Sequence, residues 1–510
     1  MTTDEIEELK LRIASRWPTA EAFYAERDDR TARLVESLVA HVTRPVEIHV
    51  DPESAEDATV QRIALVAANL TVRWARRVRV VAPVRAQLHE TLRHDGCGTL
   101  VERIESEMRT ADPFFDATPC AAGIKPLRLF VGPYRAGTPE ADEDDFQVHA
   151  VSWTALGARL DHPAHLALAD EATVAAAALA GAVGASDLFK RAIGHEPSKW
   201  MKTFAWDTWC SELVLDTNAW HSVVARPVPG TLDVGRLLLA GVGAIGSALA
   251  YLMGMMRLTG NLTLFDRDAV DGTNLNRSPL FTVLDAFEGA SKTAVAKRWL
   301  SAHSYLSVSS IDGIWRDHAH TFGETPFDAW ISLTNEDGAW ASVPFQLPPV
   351  VLQGTTTSGW GFGAGRHIPR VEDCTMCRMP RPEAAFRGPC AMGELPSVVD
   401  QQEVKVPVAS LPFLSTASAA LVMAMMMQLE GGRDALNLPN QASVDLGTGL
   451  PAVVVLHRGP TAGCRGCKAM QSSGWVTRGA RGRYGALSTR AGVAVGETCP
   501  DRSPEAQVAK

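Results

Sequence analysis

Apolar positions along the chain recur with two periods, and the switches between them mark out the elements. In the first 230 residues, alternating or continuous apolar runs predict strands at 46–50, 78–84, 127–131 and 146–151. Helical periodicity covers 3–15, 58–74 and an alanine-rich stretch at 171–193. The remainder repeats the scheme, with strands at 237–240, 262–265 and 329–333 and helices at 244–258, 292–302 and 415–428. Each half ends on a long helix rich in small residues. Strands alternating with helices imply a mostly parallel sheet covered on both faces, so both halves read as α/β. No run of identity links them: either one plan is used twice, or two unrelated α/β domains are joined.

A length of 510 residues exceeds what one core supports and fits two large domains with short extras. The Pro- and Gly-containing stretch 226–230 is the natural boundary, giving units at 1–230 and 231–470. Residues 471–510, rich in Gly, Arg, Ser and Thr, read as a flexible, partner-dependent tail. A net charge of -9 argues against a nucleic acid or an anionic membrane as partner. The start, Met1-Thr-Thr-Asp-Glu, is acidic and has no apolar core, so it is not a secretion signal. The longest apolar run, 413–429, is short and broken by Ser and Thr, as expected of a buried helix rather than a span. Nine cysteines, four of them in two CxxC pairs, suit reduced thiols and a bound metal in the cytoplasm better than a disulfide framework.

The chemistry concentrates in the second half. Leu237-Leu-Leu-Ala-Gly241-Val-Gly243-Ala-Ile-Gly246 runs from an apolar strand through GxGxxG into a helix. Glycines there permit a tight turn and let backbone N–H groups approach phosphate at the positive end of the helix. The next strand, Leu262-Thr-Leu-Phe-Asp266, ends on a carboxylate at the distance expected for a ribose contact. Taken alone, these features would also describe an NAD-dependent oxidoreductase.

The residues after this strand depart from that pattern. Asp266-Arg-Asp-Ala-Val-Asp-Gly-Thr-Asn274-Leu-Asn276-Arg277, and then Gly289-Ala-Ser-Lys292, resemble the signature of the ThiF/MoeB/ubiquitin-activating superfamily. The resemblance is specific from Leu237 to Cys467 and only architectural before that. It implies two Rossmann-like adenylation domains forming a pseudo-dimer. It further implies that Gly241, Gly243, Gly246, Asp266 and Asn274 bind ATP, with Arg277 and Lys292 on its phosphates. Attack at the α-phosphate builds negative charge on departing pyrophosphate, and fixed cations offset it. The family's magnesium-binding Thr-Asp-Asn reads Thr334-Asn335-Glu336-Asp337 here, with Asn335 at the Asp position: either Asp337 or Glu336 supplies the Mg2+ ligand, Asp337 being favoured, or magnesium handling has weakened.

Cys374-Thr-Met-Cys377 and Cys464-Arg-Gly-Cys467 form two knuckles whose four thiolates match a closed structural Zn2+ site, an arrangement the family shares. A redox CxxC would need no second pair. Cys390, in Arg387-Gly-Pro-Cys390, stands where the resemblance places the thiol that receives the activated carrier. A small buried hydrophobe is the ordinary alternative for such a cysteine. Cys499 is a second candidate, while Cys97, Cys120 and Cys210 read as structural.

In the first half the corresponding loop reads Val46-Glu-Ile-His-Val50-Asp51-Pro52-Glu53-Ser54-Ala55, with carboxylates and a proline where phosphate would have to approach. That half is expected to bind no nucleotide, and the resemblance implies that it lends an arginine across the interface, Arg30 or Arg33. The whole implies adenylation of the C-terminal glycine of a ubiquitin-like carrier protein and thioester transfer to Cys390, feeding a downstream conjugating enzyme, with bacterial antiviral defence as one setting. The protein would act as a monomeric pseudo-dimer or as a homodimer. The glycine-rich stretch 354–365 reads as an open groove for an extended Gly-Gly tail. A sulfur-carrier adenylyltransferase and a peptide-modifying adenylase are the alternatives within the superfamily.

Overall fold

The computed structural model describes residues 3–32, 42–93, 96–120, 123–133, 142, 145–159, 171–213, 226–334, 338–357, 359–378, 411–430, 432–472, 474–475 and 482–489. Apolar runs from each half assemble into a sheet of their own. The first contains β1 (Val46–Val50), β2 (Val78–Val81), β3 (Leu127–Val131), β4 (Phe146–Val151), β5 (Thr154–Arg159), β6 (Thr203–Asp207) and β7 (Glu212–Leu213), in the order β2-β1-β3-β4-β5-β6-β7. Pairing is parallel from β2 through β4 and antiparallel from β4 onward.

The second sheet contains β8 (Leu232–Ala240), β9 (Leu258–Asp266), β10 (Tyr305–Asp312), β11 (Ala329–Ser332), β12 (Val351–Thr356), β13 (Gly361–His367), β14 (Gln441–Asp445) and β15 (Ala452–Leu456). Its order is β10-β9-β8-β11-β12-β13-β14-β15, parallel through β12 and antiparallel beyond. Without β10, this order matches the first sheet strand for strand, in direction as well as sequence. The helix Val174–Ala192 lies between β5 and β6, and the helix Pro412–Leu429 lies between β13 and β14, at equivalent points. One plan used twice thus holds at the level of topology.

Those two helices pack on each other, and each also packs on its own half. Both are buried along their whole length, so their sequences carry no polar face. Pro412–Leu429 is long and apolar enough to cross a membrane, more so than its Ser and Thr residues suggest, yet every residue of it is buried inside the protein. Polar side chains inside this contact reach across the halves. The Lys190 ammonium donates to the carbonyls of Lys199, Leu446 and Thr448. Gln428 Nε2 donates to Thr208 O at 3.0 Å and Trp209 O at 2.7 Å.

The glycine-rich stretch 354–365 is no open groove. Its strand residues belong to β12 and β13, paired antiparallel in the middle of the second sheet and almost all buried, while Thr357 and Gly359 between the strands are exposed. Its glycines are there for close packing. A Cβ on Gly363 would meet Ala442 O at 2.6 Å, and one on Gly354 would meet Ser418 Oγ at 2.7 Å. The helix expected over 244–258 ends at Met253, and its C-cap, Gly254, lies so close to the Trp299 indole that a Cβ there would meet Nε1 at 2.3 Å. β10 and β14 escape apolar-pattern reading because polar residues interrupt them where they face solvent, whereas β15, Ala-Val-Val-Val-Leu, has the apolar run of a strand although none of its residues is buried. The stretch read as a loose tail carries buried anchors, Trp475, Tyr484 and Leu487. Trp475 Nε1 donates to Pro348 O at 2.9 Å.

Candidate active site

β8 runs directly into Gly241-Val242-Gly243, and the helix Ala244–Met253 starts at once. Gly241 adopts φ +97°, where other residues are strained, and a Cβ there would meet Leu333 C at 2.6 Å. A Cβ on Gly246 would lie 1.9 Å from Gly241 O, so this position tolerates only glycine. Gly243 is different, since a Cβ there would meet nothing within 4 Å. The helix N-terminus behind it has no side-chain cap. No side chain caps the first backbone donors of this helix and the space beside Gly243 is open, at the positive end of a helix, a setting suited to a phosphate.

Asp266, the last residue of β9, closes the loop on one side. Its carboxylate accepts from Val242 N at 2.6 Å and from Asp268 N at 2.9 Å. Burial raises its pKa, and the nearby Lys292 works in the opposite sense. Lys292 begins the helix Lys292–His303 and is almost wholly buried; its Nζ donates to Asp268 Oδ2 at 2.9 Å. Burial pushes the Asp268 carboxyl up, but the hydrogen bond and charge of Lys292 outweigh it and leave the pKa lowered. Val270 N donates to Ala290 O, and Lys292 N to Asp268 O, so the two loops are stitched together along their backbones. Asp268 was not singled out by sequence reasoning. The only sign of it was a second carboxylate two places after Asp266.

Asn274 is buried, and its side chain accepts from Asp271 N at 3.2 Å. Arg277 is half-buried and donates from Nη1 to Thr273 O at 2.7 Å. Elements of the first half lie against this turn. Asn276 Nδ2 donates to Thr31 Oγ1 at 3.0 Å, and Gly272 abuts the Glu26 carboxylate. Arg30, next to Thr31 on the short helix Asp29–Ala32, is thus on the segment facing Asn276. Asn335, Glu336 and Asp337, Arg33, Arg387, Cys390 and Cys499 lie outside the described residues. Thr334, immediately before Asn335, flanks Gly241.

The four knuckle cysteines form a separate cluster. Their Sγ atoms lie within 4.8 Å of one another, drawn from the turn Thr375–Arg378 with the residue before it and from the helix Arg465–Met470 with its N-cap. Sγ–Sγ separations are 3.8 Å for Cys374–Cys377, 3.6 Å for Cys374–Cys464 and 3.4 Å for Cys377–Cys467. Tetrahedral Zn–S bonds of about 2.3 Å imply sulfur separations of about 3.8 Å, so the set fits zinc with slight adjustment. The cluster connects to the loop region by two bonds: Thr375 Oγ1 donates to Trp340 O at 2.7 Å, and Trp340 Nε1 donates to Thr334 O at 2.8 Å.

The equivalent loop of the first half is filled by its own side chains. Seven residues, not three, separate β1 from the helix Ala58–Val72. Ser54 Oγ donates to the Asp51 carboxylate, and a Cβ on Gly132 would meet Asp51 Cβ at 2.7 Å. An anion arriving there would meet a carboxylate instead of free N–H groups.

Residues 228–321 match the ThiF family. Solved structures similar to the chain include E. coli MccB with MccA, at 17% identity and TM-score 0.35, covering 46% of this chain and 66% of that one, just under two thirds of its length. E. coli MccB with ATP gives 18% identity and TM-score 0.35, covering 46% of this chain and 67% of that chain. The microcin C7 biosynthetic enzyme MccB with N-formylated MccA gives 15% identity and TM-score 0.35, covering 63% and 97% respectively. No curated protein matches the chain. The matched segment takes in the glycine loop and the strands on either side of it, so it is this part of the chain, residues 228–321, that is ThiF-like.

Proposed function

We propose that the chain uses ATP and Mg2+ to adenylate the C-terminal carboxylate of a ubiquitin-like carrier protein and then passes the acyl group to a cysteine of its own. The uncapped helix N-terminus at Gly243, with Asp266 beside it and Lys292 behind, is the observation that carries this reading. A carboxylate oxygen of the carrier attacks the α-phosphorus, forming the acyl–phosphate bond while the bond to pyrophosphate breaks. Gly241 to Gly246 hold the phosphates by backbone N–H groups, Asp266 accepts from the ribose, and Asn274 shapes the turn. Arg277 and Lys292 meet charge developing on pyrophosphate. Asp337 is the proposed Mg2+ ligand. In this assignment Cys374, Cys377, Cys464 and Cys467 hold a Zn2+ that supports the fold. The thiolate of Cys390 then attacks the acyl carbon, forming a thioester and releasing AMP.

Isotopic pyrophosphate should exchange into ATP only when the carrier is present. Because Asp51 and Ser54 close the first-half loop, calorimetry with an ATP analogue should give one equivalent per chain; two sites of similar affinity would contradict that assignment. The variant Cys390→Ala should keep exchange, which precedes thiol attack, and lose the reductant-sensitive carrier adduct. Cys499→Ala is the matched control. An adduct that survives the first change and vanishes in the second moves the acceptor to Cys499. If no thiol adduct forms in the unaltered protein, the reaction stops at the adenylate, as a peptide-modifying or sulfur-carrier enzyme would have it.

A further inference from the structure

The turn that bears Asn274 and Arg277 is held from the other half of the molecule. Arg73, just past the end of the first-half helix Ala58–Val72, is 2% exposed. Its Nη1 donates to Leu275 O at 2.7 Å, and its Nη2 donates to Pro279 O at 2.6 Å and Phe281 O at 3.2 Å. Nε donates to Asn69 Oδ1 at 2.8 Å, and Asn69 Nδ2 in turn donates to Pro279 O at 3.2 Å. No carboxylate hydrogen-bonds this guanidinium among the described residues; it is oriented by Asn69 and solvated by the carbonyls of one turn. Burial pulls its pKa down to about 9, which still leaves it charged at neutral pH.

The turn is itself buried, with Leu275, Asn276 and Phe281 fully so, and a cavity lies on the side where Arg73 meets it. Asn69, Arg73, Pro279, Leu280, Phe281 and Thr282 line a cavity of about 280 Å³ between the halves. Three carbonyls pointing at one planar cation fix the curvature of 275–281, and a carbonyl left without its donor in such a place is costly. Leu275 lies between Asn274 and Arg277, so its peptide sets where both of those side chains start.

We infer that Arg73 is a positioning residue for nucleotide binding: it gathers the carbonyls of Leu275, Pro279 and Phe281 and so holds the phosphate-binding turn of the second half in its working shape. This rests on the adenylation reading above and adds a task for the half that binds no nucleotide. It differs from an arginine that reaches the substrate, because Arg73 spends its donors on three backbone carbonyls and the Asn69 side chain.

The test is calorimetric titration of the full chain with AMPCPP and Mg2+, with melting temperature recorded for each variant. Arg73→Met keeps bulk but removes every donor, and its Kd should rise about tenfold or more. Arg73→Lys retains the charge but cannot span three carbonyls, and should fall between Arg73→Met and the unaltered chain. Arg12→Ala breaks an exposed ion pair with Glu288 in the same interface and should keep the unaltered Kd. A wild-type Kd in Arg73→Met, with only a lower melting temperature, would overturn the inference and leave adenylation standing. Should Arg73→Met not fold, Arg73→Lys decides: weaker binding with faster amide exchange confined to 274–281 supports the inference, and unchanged affinity overturns it. If the unaltered chain binds no AMPCPP, the adenylation reading and the inference fall together.

Discussion

Replacing Lys292 by alanine is expected to lower carrier-dependent ATP–pyrophosphate exchange by about 10²–10³-fold, the range found when one fixed group opposing transition-state charge is removed. The side chain is buried at the start of its helix and tethered at 2.9 Å to Asp268, so it is already in place before charge develops. A tethered cation costs little reorganisation at the moment of reaction, which is why its loss should fall mainly on kcat. Stability should change much less, because Asp268 is about half exposed and water can replace its partner. Exchange that survives undiminished in Lys292→Ala would remove this residue from the mechanism. Reduction of NAD by any substrate would favour an oxidoreductase instead.

Cys464→Ser should act on the whole second half. The unaltered protein is expected to carry one zinc per chain, and the variant to carry much less. A structural zinc site contributes folding free energy directly, so the melting temperature should fall by about 10 °C or more. The knuckles join segments some ninety residues apart, and Gly466 sits so close that a Cβ would lie 2.7 Å from Cys374 Sγ. Through Thr375 and Trp340 the cluster also steadies Thr334, next to the glycine loop. Exchange should therefore weaken with stability, and added zinc should not restore it. A metal-free preparation that melts like the zinc-loaded one would end the structural assignment.

The sequence made the strand–loop–helix unit at Gly241 legible because three constraints coincide there: a buried strand needs a continuous apolar run, the turn needs positive φ, and the helix needs a close approach. Lys292 was legible through the resemblance of Gly289-Ala-Ser-Lys292 to the family's helix start, and not from its own surroundings in the sequence. The β12–β13 pair was misread for a physical reason: glycines that make room for Pro412–Leu429 and for Ala442 look in sequence like glycines that leave a surface bare. β10 was missed because an edge strand with most residues facing water carries almost no apolar pattern. Arg73 was out of reach altogether. It lies in no motif, and its partner Leu275 is 202 residues away.

The matching strand orders of the two sheets have one consequence that reaches past catalysis. Where two identical subunits face each other about a twofold axis, every substitution is made twice, once on each side. A loop blocked in one copy would then be blocked in both. Here the two plans share one chain, so the turn at Asp51 could fill while the loop at Gly241 stayed open. Arg73 could likewise become a support without a mirror image. Covalent joining also makes the contact insensitive to dilution, since each half meets the other at a fixed effective concentration.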